Sequence, residues 1–304
     1  MSANIELIDS IIKLKAEKEA IILAHNYQIG EVQDIADFVG DSLGLSIEAS
    51  KAPGKIIVFC GVHFMAETAK ILSPAKKVLL PDKSSGCPMA DMINASQLEK
   101  LKKEHPGAVV VCYVNTSAEV KALSDICCTS SNAVNVVKSI PKSKEIIFIP
   151  DKYLGDYVQR QTGREFILWN GYCPTHVMIN TKEIIELKKV HLDAVVIVHP
   201  ECTPDVIDIA DKVASTGGML RYVKNSEKKE FIIGTEIGII HRLKKENPDK
   251  TFYPATSKAI CPNMKLINLE KILWSLEDEK YEIKVPQEII RKARTAIERM
   301  IAIK

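Results

Sequence analysis

Three stretches of this 304-residue chain repeat one pattern, and this repetition constrains the fold more than any other feature. Each stretch starts with an apolar run of strand length and ends that run in a polar residue. A short helical segment and a hydroxyl-rich turn follow. The apolar runs begin at Ile21, Val109 and Val195. The step from polar strand end to hydroxyl is 17 residues from His25 to Ser42, 15 from Asn115 to Ser130, and 17 from His199 to Thr216.

Each repeat continues with a second strand and a further helix. The strands are predicted at 55–60, 145–150 and 230–234, and the helices at 65–72, 154–162 and 237–246. Short apolar runs that alternate with helical patterns are typical of βαβ units with parallel, buried strands. The sequence therefore predicts an α/β fold of three pseudo-repeated small domains. We expect parallel sheets around a pseudo-threefold axis, with the active site at the centre.

The expected domain boundaries follow the repeat. The first domain covers residues 1–85 and includes an amino-terminal helix at 3–19, the second covers 86–171, and the third covers 172–267. Two further helices are expected in 268–304, separated at Val285-Pro286, and we expect them to pack against the first domain.

Each repeat ends in a Cys-Pro pair in a loop beyond a strand. The three cysteines are Cys87, Cys173 and Cys261, spaced by 86 and 88 residues. Three thiolates that converge on one point suit a soft metal centre. A [4Fe–4S] cluster takes four ligands, so three cysteines leave one iron open to act as a Lewis acid. The alternatives are three buried loop cysteines, and a structural zinc site with His176 as fourth ligand.

The other five of the eight cysteines do not keep the repeat. Cys60 and Cys112 fall in apolar strands and are expected in the core. Cys127 and Cys128 fall between a helix and a turn, where packing is the default. Cys202 directly follows His199-Pro200-Glu201, and this position alone makes it a minor candidate for a role in the chemistry.

Polar residues cluster at the strand ends of all three repeats. Ligands of parallel α/β sheets bind beyond the carboxyl ends of the strands. The residues at these ends are His25, Tyr27, Tyr113, Asn115, His199 and Glu201. Ser42, Ser130 and Thr216 begin the following helices, where free N–H groups and the helix dipole favour a phosphate or carboxylate. Helix capping is the alternative role for these hydroxyls.

Composition excludes several classes of partner. Lys and Arg (41) nearly balance Asp and Glu (39), so we expect no nucleic-acid partner. No apolar run reaches the roughly 18 residues of a membrane span, so we expect no membrane partner. The start of the chain lacks the pattern of a secretory signal, and we expect a cytoplasmic protein. Nucleotide motifs such as G-x-G-x-x-G and the P-loop are missing from the sequence.

A series of short motifs resembles the type A, iron–sulfur-dependent quinolinate synthase family over nearly the whole chain. In order, the motifs are Ala24–Gln28, Asp34–Asp37, Gly40–Ser42, Phe64–Glu67, Tyr113–Thr116, Thr129–Asn132, His199–Glu201 and Gly234–Glu236. The resemblance implies condensation of iminoaspartate with dihydroxyacetone phosphate, giving quinolinate, phosphate and water for NAD biosynthesis. It also implies functional coupling to an aspartate oxidase or dehydrogenase.

The resemblance assigns roles residue by residue. Cys87, Cys173 and Cys261 would hold a [4Fe–4S] cluster with one open iron. The substrate-binding set would be His25, Ser42, Tyr113, Asn115, Ser130, His199, Glu201 and Thr216. Tyr27, Glu201 and His199 are the catalytic candidates. We expect Glu201 to be a general base with raised proton affinity, at the position that His25 and Asn115 occupy in the other repeats. The alternative function is a zinc-stabilised phosphometabolite-binding protein.

Overall fold

The computed structural model describes residues 2–303, with side chains from residue 5 onward, and contains three four-stranded parallel sheets. The first sheet has β1 (Ala20–His25), β2 (Phe38–Gly40), β3 (Ile56–Cys60) and β4 (Lys77–Leu79). The second has β5 (Val109–Tyr113), β6 (Ile126–Cys128), β7 (Ile146–Ile149) and β8 (Ile167–Leu168). The third has β9 (Val195–Val198), β10 (Lys212–Val213), β11 (Glu230–Gly234) and β12 (Thr251–Pro254). The predicted three-repeat α/β fold is confirmed.

The sheets share one topology. Their strand orders are β2-β1-β3-β4, β6-β5-β7-β8 and β10-β9-β11-β12. Each order places the first strand of the repeat beside both its second and its third strand. The central strands are buried on both faces, which explains why they appear in the sequence as continuous apolar runs. The domain boundaries at 85/86 and 171/172 stay predictions.

Helices connect the strands and cover the sheets. In the first repeat they are α1 (Ser2–Glu17), α2 (Gly30–Ile35), α3 (Ser42–Lys51) and α4 (His63–Leu72). In the second they are α5 (Ala95–Glu104), α6 (Ala118–Ala122), α7 (Ala133–Ser139) and α8 (Lys152–Thr162). The third repeat and the carboxyl-terminal segment contribute α9 (Thr181–Val190), α10 (Pro204–Asp208), α11 (Thr216–Asn225), α12 (Ile239–Glu246), α13 (Leu269–Asp278) and α14 (Gln287–Ala302). Among the described residues, no helix combines the length and the apolar composition of a membrane-crossing segment.

The short strands β2, β6 and β10 were not predicted. They contain three, three and two residues, which is too few for a periodic pattern to appear in the sequence. Cys127 and Cys128 lie in β6 and are buried there, with Cys127 paired to Cys112 of β5. The region between α6 and the following turn, where the two cysteines were expected, therefore forms a short strand, and their burial fits the expected packing role.

Three equivalent aspartates define the alignment of the repeats. Asp37, Asp125 and Asp211 each accept the backbone N–H of the strand residue 15 positions earlier, at 2.7, 2.8 and 2.8 Å. This alignment makes His25, Tyr113 and His199 equivalent. It also makes Tyr27, Asn115 and Glu201 equivalent. The step from strand end to hydroxyl is then 17 residues in every repeat. The expected equivalence of Asn115 and Glu201 with His25 was wrong by two positions.

The apolar core does not follow the three repeats. One continuous cluster joins the first and second repeats and includes residues of α13 and α14. The third repeat has two smaller clusters, which contain different residues of its sheet. Helix α13 packs on α1, but α14 lies mainly against α6 and β6 of the second repeat. The side chain of Asn132 donates to the carbonyls of Met300 and Ile303. Helix α14 also contacts α3 and α4, so the packing expected for residues 268–304 against the first domain describes only part of its surroundings.

Candidate active site

All twelve residues predicted from the sequence line one cavity where the three repeats meet. They are Cys87, Cys173, Cys261, His25, Tyr27, Ser42, Tyr113, Asn115, Ser130, His199, Glu201 and Thr216. Each repeat contributes a strand-end residue, the residue two positions later, the hydroxyl 17 positions later, and one cysteine. The cavity is therefore built from four equivalent positions in each of three repeats.

The three cysteines share one local geometry. Each thiol sulfur accepts the backbone N–H of the residue three positions later, which is Ala90, His176 or Met264. A single 3₁₀ turn begins at that residue in every case. Burial raises the pKa of Cys87 to about 12, and it also raises the pKa values of Cys173 and Cys261. Partly buried sulfurs that accept N–H bonds fit a soft metal group, because the metal's positive charge stabilises the thiolates.

The remaining five cysteines do not line this cavity. Cys60, Cys112, Cys127, Cys128 and Cys202 are all buried. Cys202 lies in an apolar cluster of the third repeat, and its sulfur lies 3.6 Å from the carbonyl oxygen of Gly234. Its neighbours in the described part of the chain thus give it a packing role.

His25 and His199 occupy equivalent positions and make the same backbone contact. Nδ1 of His25 accepts the N–H of Tyr27 at 3.2 Å, and Nδ1 of His199 accepts the N–H of Glu201 at 3.3 Å. These bonds assign the proton of each neutral ring to Nε2. Burial lowers the pKa of His25 to about 4 and that of His199 to about 3. Both rings are therefore neutral N–H donors at neutral pH.

Glu201 is the centre of a buried polar network. Its Oε2 lies 2.6 Å from Nδ1 of His176, and the ring of His176 stacks on that of His199 at 4.5 Å between centroids. Nε2 of His176 lies 2.9 Å from Oγ1 of Thr235, which in turn lies 2.5 Å from the hydroxyl of Tyr27. A continuous chain of polar contacts therefore connects Tyr27 to Glu201.

The two ends of this network differ in charge. Burial favours a raised pKa for Glu201, but His176 and His199 outweigh burial and lower it to about 2. Burial and the nearby Glu201 raise the pKa of Tyr27 well above its usual value. The prediction of raised proton affinity at Glu201 was wrong, because it ignored the two histidines. Glu201 is anionic at neutral pH and Tyr27 is a neutral hydroxyl.

Residues next to the predicted hydroxyls cap the helices. Asp41 accepts the N–H of Gly44 at 2.8 Å for α3, and Ser215 accepts the N–H of Gly218 at 3.1 Å for α11. Ser42 and Thr216 follow these caps and face the cavity, and Thr216 Oγ1 accepts a bond from Asn26 Nδ2 at 2.9 Å. The capping alternative therefore does not describe Ser42 or Thr216.

One hydroxyl connects the caps of two repeats. Ser131 Oγ donates to Asp41 Oδ2 at 2.6 Å and lies 2.8 Å from Ser215 Oγ. A Cβ atom on residue 217 would lie only 2.6 Å from Asp41 Oδ2. The start of α11 can therefore approach Asp41 this closely only with glycine at position 217. The amino-terminal ends of α3 and α11 are thereby held together at one end of the cavity.

Several lining residues were missed or given another role. Asp41, Thr175 and Glu236 were not predicted, and His176 was considered only as a zinc ligand. The thiol of Cys173, the ring of His176 and the carboxylate of Glu201 have ligand atoms within 4.8 Å of one another, which is close enough for one small metal ion. That group includes only one of the three repeated cysteines. Asn115 Oδ1 is buried without a hydrogen-bond partner among the described residues, as expected for an atom that contacts a ligand.

Comparison with known proteins gives a match along almost the full chain. Residues 9–302 match the family model described as NadA, Quinolinate synthetase A protein. The quinolinate synthase of Thermodesulfovibrio yellowstonii is 56% identical over 297 residues, which is 97% of this chain and 98% of that protein. The quinolinate synthase of Dehalococcoides mccartyi strain CBDB1 is 56% identical over 299 residues, 98% and 99% of the two chains. That of Methanosarcina barkeri is 52% identical over 299 residues, 98% of each chain.

Proposed function

Because this chain belongs to the quinolinate synthetase A family, we propose that it is a quinolinate synthase. The proposed reaction condenses iminoaspartate with dihydroxyacetone phosphate and releases quinolinate, phosphate and water. The observation that carries the proposal is the convergence of four equivalent positions from each of three repeats on one cavity. Nine of these residues offer polar side chains to substrates, and three offer thiols to a cofactor.

The family is iron–sulfur dependent, and the donor set of this chain fits such a group. Cys87, Cys173 and Cys261 would hold a [4Fe–4S] cluster, in which each sulfur also accepts at least one backbone N–H. When bound, a cluster with three cysteine ligands supplies a Lewis acid at its fourth iron. The zinc alternative needs Cys87, Cys173, Cys261 and His176 around one ion. The described ligand atoms that lie within 4.8 Å of one another are instead those of Cys173, His176 and Glu201, so an ion at that position would leave Cys87 and Cys261 without a role.

Both proposed substrates are anions, and the cavity offers neutral donors to them. Ser42 and Thr216 stand at helix starts, where backbone N–H groups favour a phosphate or carboxylate. Nε2 of His199 lies 3.1 Å from Ser130 Oγ, so these two donors serve one anionic group. The unpartnered Oδ1 of Asn115 suits the N–H of the imine. We assign His25 and Tyr113 to the same substrate-binding set because they line the same cavity.

Glu201 and Tyr27, at the two ends of the polar network, are the groups that would transfer protons. Enolisation, ring closure and loss of water require protons to move and involve no net oxidation. Glu201 is anionic and accepts a proton from the substrate. Tyr27 is neutral and donates one to a departing hydroxyl, while His176 and Thr235 connect the two. This assignment keeps Glu201 as the base despite its low pKa, because the carboxylate is ionised at neutral pH and lines the cavity that the substrates would enter.

The direct test is synthesis by anaerobically purified protein. With dihydroxyacetone phosphate and iminoaspartate generated from aspartate, quinolinate and phosphate should appear in equal amounts. The imine is supplied by an aspartate oxidase in one reaction and by an aspartate dehydrogenase in another. This comparison tests the proposed coupling to either enzyme. A brown protein with iron and sulfide near four per chain supports the cluster. A colourless protein that contains zinc and makes no quinolinate would favour the metabolite-binding alternative.

A further inference from the structure

An ion pair between a fully buried carboxylate and a partly exposed ammonium group lies next to Cys261, outside the set of residues assigned to the reaction above. Glu236 is 0% exposed, and its Oε1 accepts the backbone N–H of Cys261 at 3.1 Å. Its Oε2 accepts the N–H of Gly238 at 2.7 Å. Lys265 Nζ lies 2.8 Å from Glu236 Oε1. The carboxylate is therefore bonded at both oxygens and paired with one cation.

The cation also reaches the first repeat. Lys265 Nζ donates to the backbone carbonyl of Tyr27 at 2.5 Å. Gly238 is placed so that a Cβ atom there would lie 2.7 Å from Tyr27 O, 2.8 Å from Glu236 Oε2 and 2.8 Å from Lys265 Nζ. These three groups thus meet around a residue without a side chain. The contact joins the loop of Cys261 in the third repeat to the loop of Tyr27 in the first.

The repeat does not explain this pair. The pairing of β11, β3 and β7 with their neighbours makes Glu236 equivalent to Val62 in the first repeat and to Asp151 in the second. Lys265 follows Cys261 by four residues, and the matching residues are Asp91 and Val177. Only the third repeat has both the carboxylate and the ammonium group. Burial of a charge pair costs solvation energy, and loss of one partner leaves an unpaired buried charge.

We propose that Glu236 and Lys265 are positioning residues that hold the Cys261 loop and the Tyr27 loop at a fixed separation. The inference rests on the proposed function, in which Cys261 holds the cofactor and Tyr27 donates a proton to the substrate. Cofactor retention and the placement of the Tyr27 hydroxyl are then coupled through one ion pair. Substrate binding depends mainly on other residues of the cavity, so kcat changes when the pair is broken and KM changes little.

The test is a double-mutant cycle with Lys265→Met, Glu236→Gln and the double variant. Each single variant leaves one charge of the pair without its partner, and we expect about tenfold faster release of iron to a chelator and about tenfold lower kcat, with KM within about threefold. The double variant removes both charges and should recover to within about threefold of the parent in both measurements. Lys229→Met is the matched control, because Lys229 pairs with Asp249 on the exposed surface.

Two outcomes would overturn the inference. One is normal iron release and normal kcat in both single variants. The other is a double variant in which the fold-changes of iron release and kcat equal the product of the fold-changes in the two single variants. That result would mean that the two residues act independently. If Lys265→Met does not fold, Lys265→Arg keeps the charge and is expected to retain iron like the parent; rapid iron loss there contradicts the pairing. Parent protein that keeps its iron but makes no quinolinate would contradict the proposed function, and iron release would still report on the pair.

Discussion

Nδ1 of His176 lies 2.6 Å from Oε2 of Glu201, and both side chains are almost completely buried. The contact stabilises the carboxylate and keeps the pKa of Glu201 near 2. Since His176 also reaches Thr235 and Tyr27, a change at Glu201 affects the whole network.

Replacement of Glu201 by Gln should abolish most turnover and leave the cofactor in place. Gln has the shape of Glu but accepts no proton, and loss of a general base costs about 10²-fold or more in kcat. The measurement is anaerobic kcat with iron content determined on the same sample. Glu186→Gln, on the exposed surface of α9, is the control. Near-normal kcat in the Glu201 variant would limit Glu201 to ligand positioning and move the search for the base to Tyr27 or His199.

Cys87→Ala, Cys173→Ala and Cys261→Ala should each fail to retain the cluster. Each removes one of three equivalent ligands, whereas Cys60→Ala and Cys112→Ala alter only buried strands and should keep it. Iron and sulfide analysis with the visible absorption spectrum of anaerobic protein checks this. A full iron complement in any of the first three variants would contradict the ligand assignment. Loss of iron in the strand variants together with loss of folded protein would show a packing effect.

Stability should fall in acid, beginning at the ordinary pKa of histidine. The pKa values of His25 and His199 are lowered by burial to about 4 and about 3, against about 6.5 in an unfolded chain. The unfolded state therefore binds more protons below pH 6.5. Each histidine should lower the free energy of unfolding by roughly 1.4 kcal/mol per pH unit until the folded pKa is reached. Above pH 6.5 neither should contribute a slope.

Urea unfolding of cofactor-free protein at pH 7 and pH 5 tests this pH dependence. Asp41, Glu201, Lys265 and His176 also act on His25, and Glu201 adds its own loss of stability only between about pH 4.3 and pH 2. His25→Gln should reduce the difference between the two pH values by roughly 2 kcal/mol. An unchanged difference in this variant would show that His25 is protonated in the folded protein.

Ser131→Ala should weaken substrate binding at the end of the cavity where α3 and α11 begin. Ser131 connects Asp41 to Ser215, and the substitution leaves the Asp41 carboxylate without one of its two donors. We expect a free energy of unfolding lower by about 1 kcal/mol and a KM for dihydroxyacetone phosphate several-fold higher. Ser139→Ala is the control, since its hydroxyl bonds only within its own helix. An unchanged KM would place the phosphate elsewhere in the cavity.

The sequence predicted which residues line the site, but it did not predict which of them are equivalent between repeats or how they affect one another's charge. Strand-end positions and Cys-Pro loops are local patterns, so the twelve lining residues could be found from spacing and resemblance. The equivalence of Asn115 with Tyr27 and Glu201 depends on hydrogen bonds from strand N–H groups to Asp37, Asp125 and Asp211, which no local pattern reveals. The charge of Glu201 depends on His176, which is 25 residues away in the chain and enters the site through a different loop. Strands of two or three residues, such as β10, leave no periodic signal.

The apolar core is divided differently from the three repeats, so we expect the segments that unfold cooperatively to differ from the repeats. The first two repeats share one core with α13 and α14, whereas most of the third repeat has clusters of its own. Native-state hydrogen exchange should therefore reveal two cooperative units, with β9 and β11 opening apart from β1 and β5. A ligand that contacts all three repeats binds only when both units are closed. It therefore suppresses the separate opening of the third repeat by mass action.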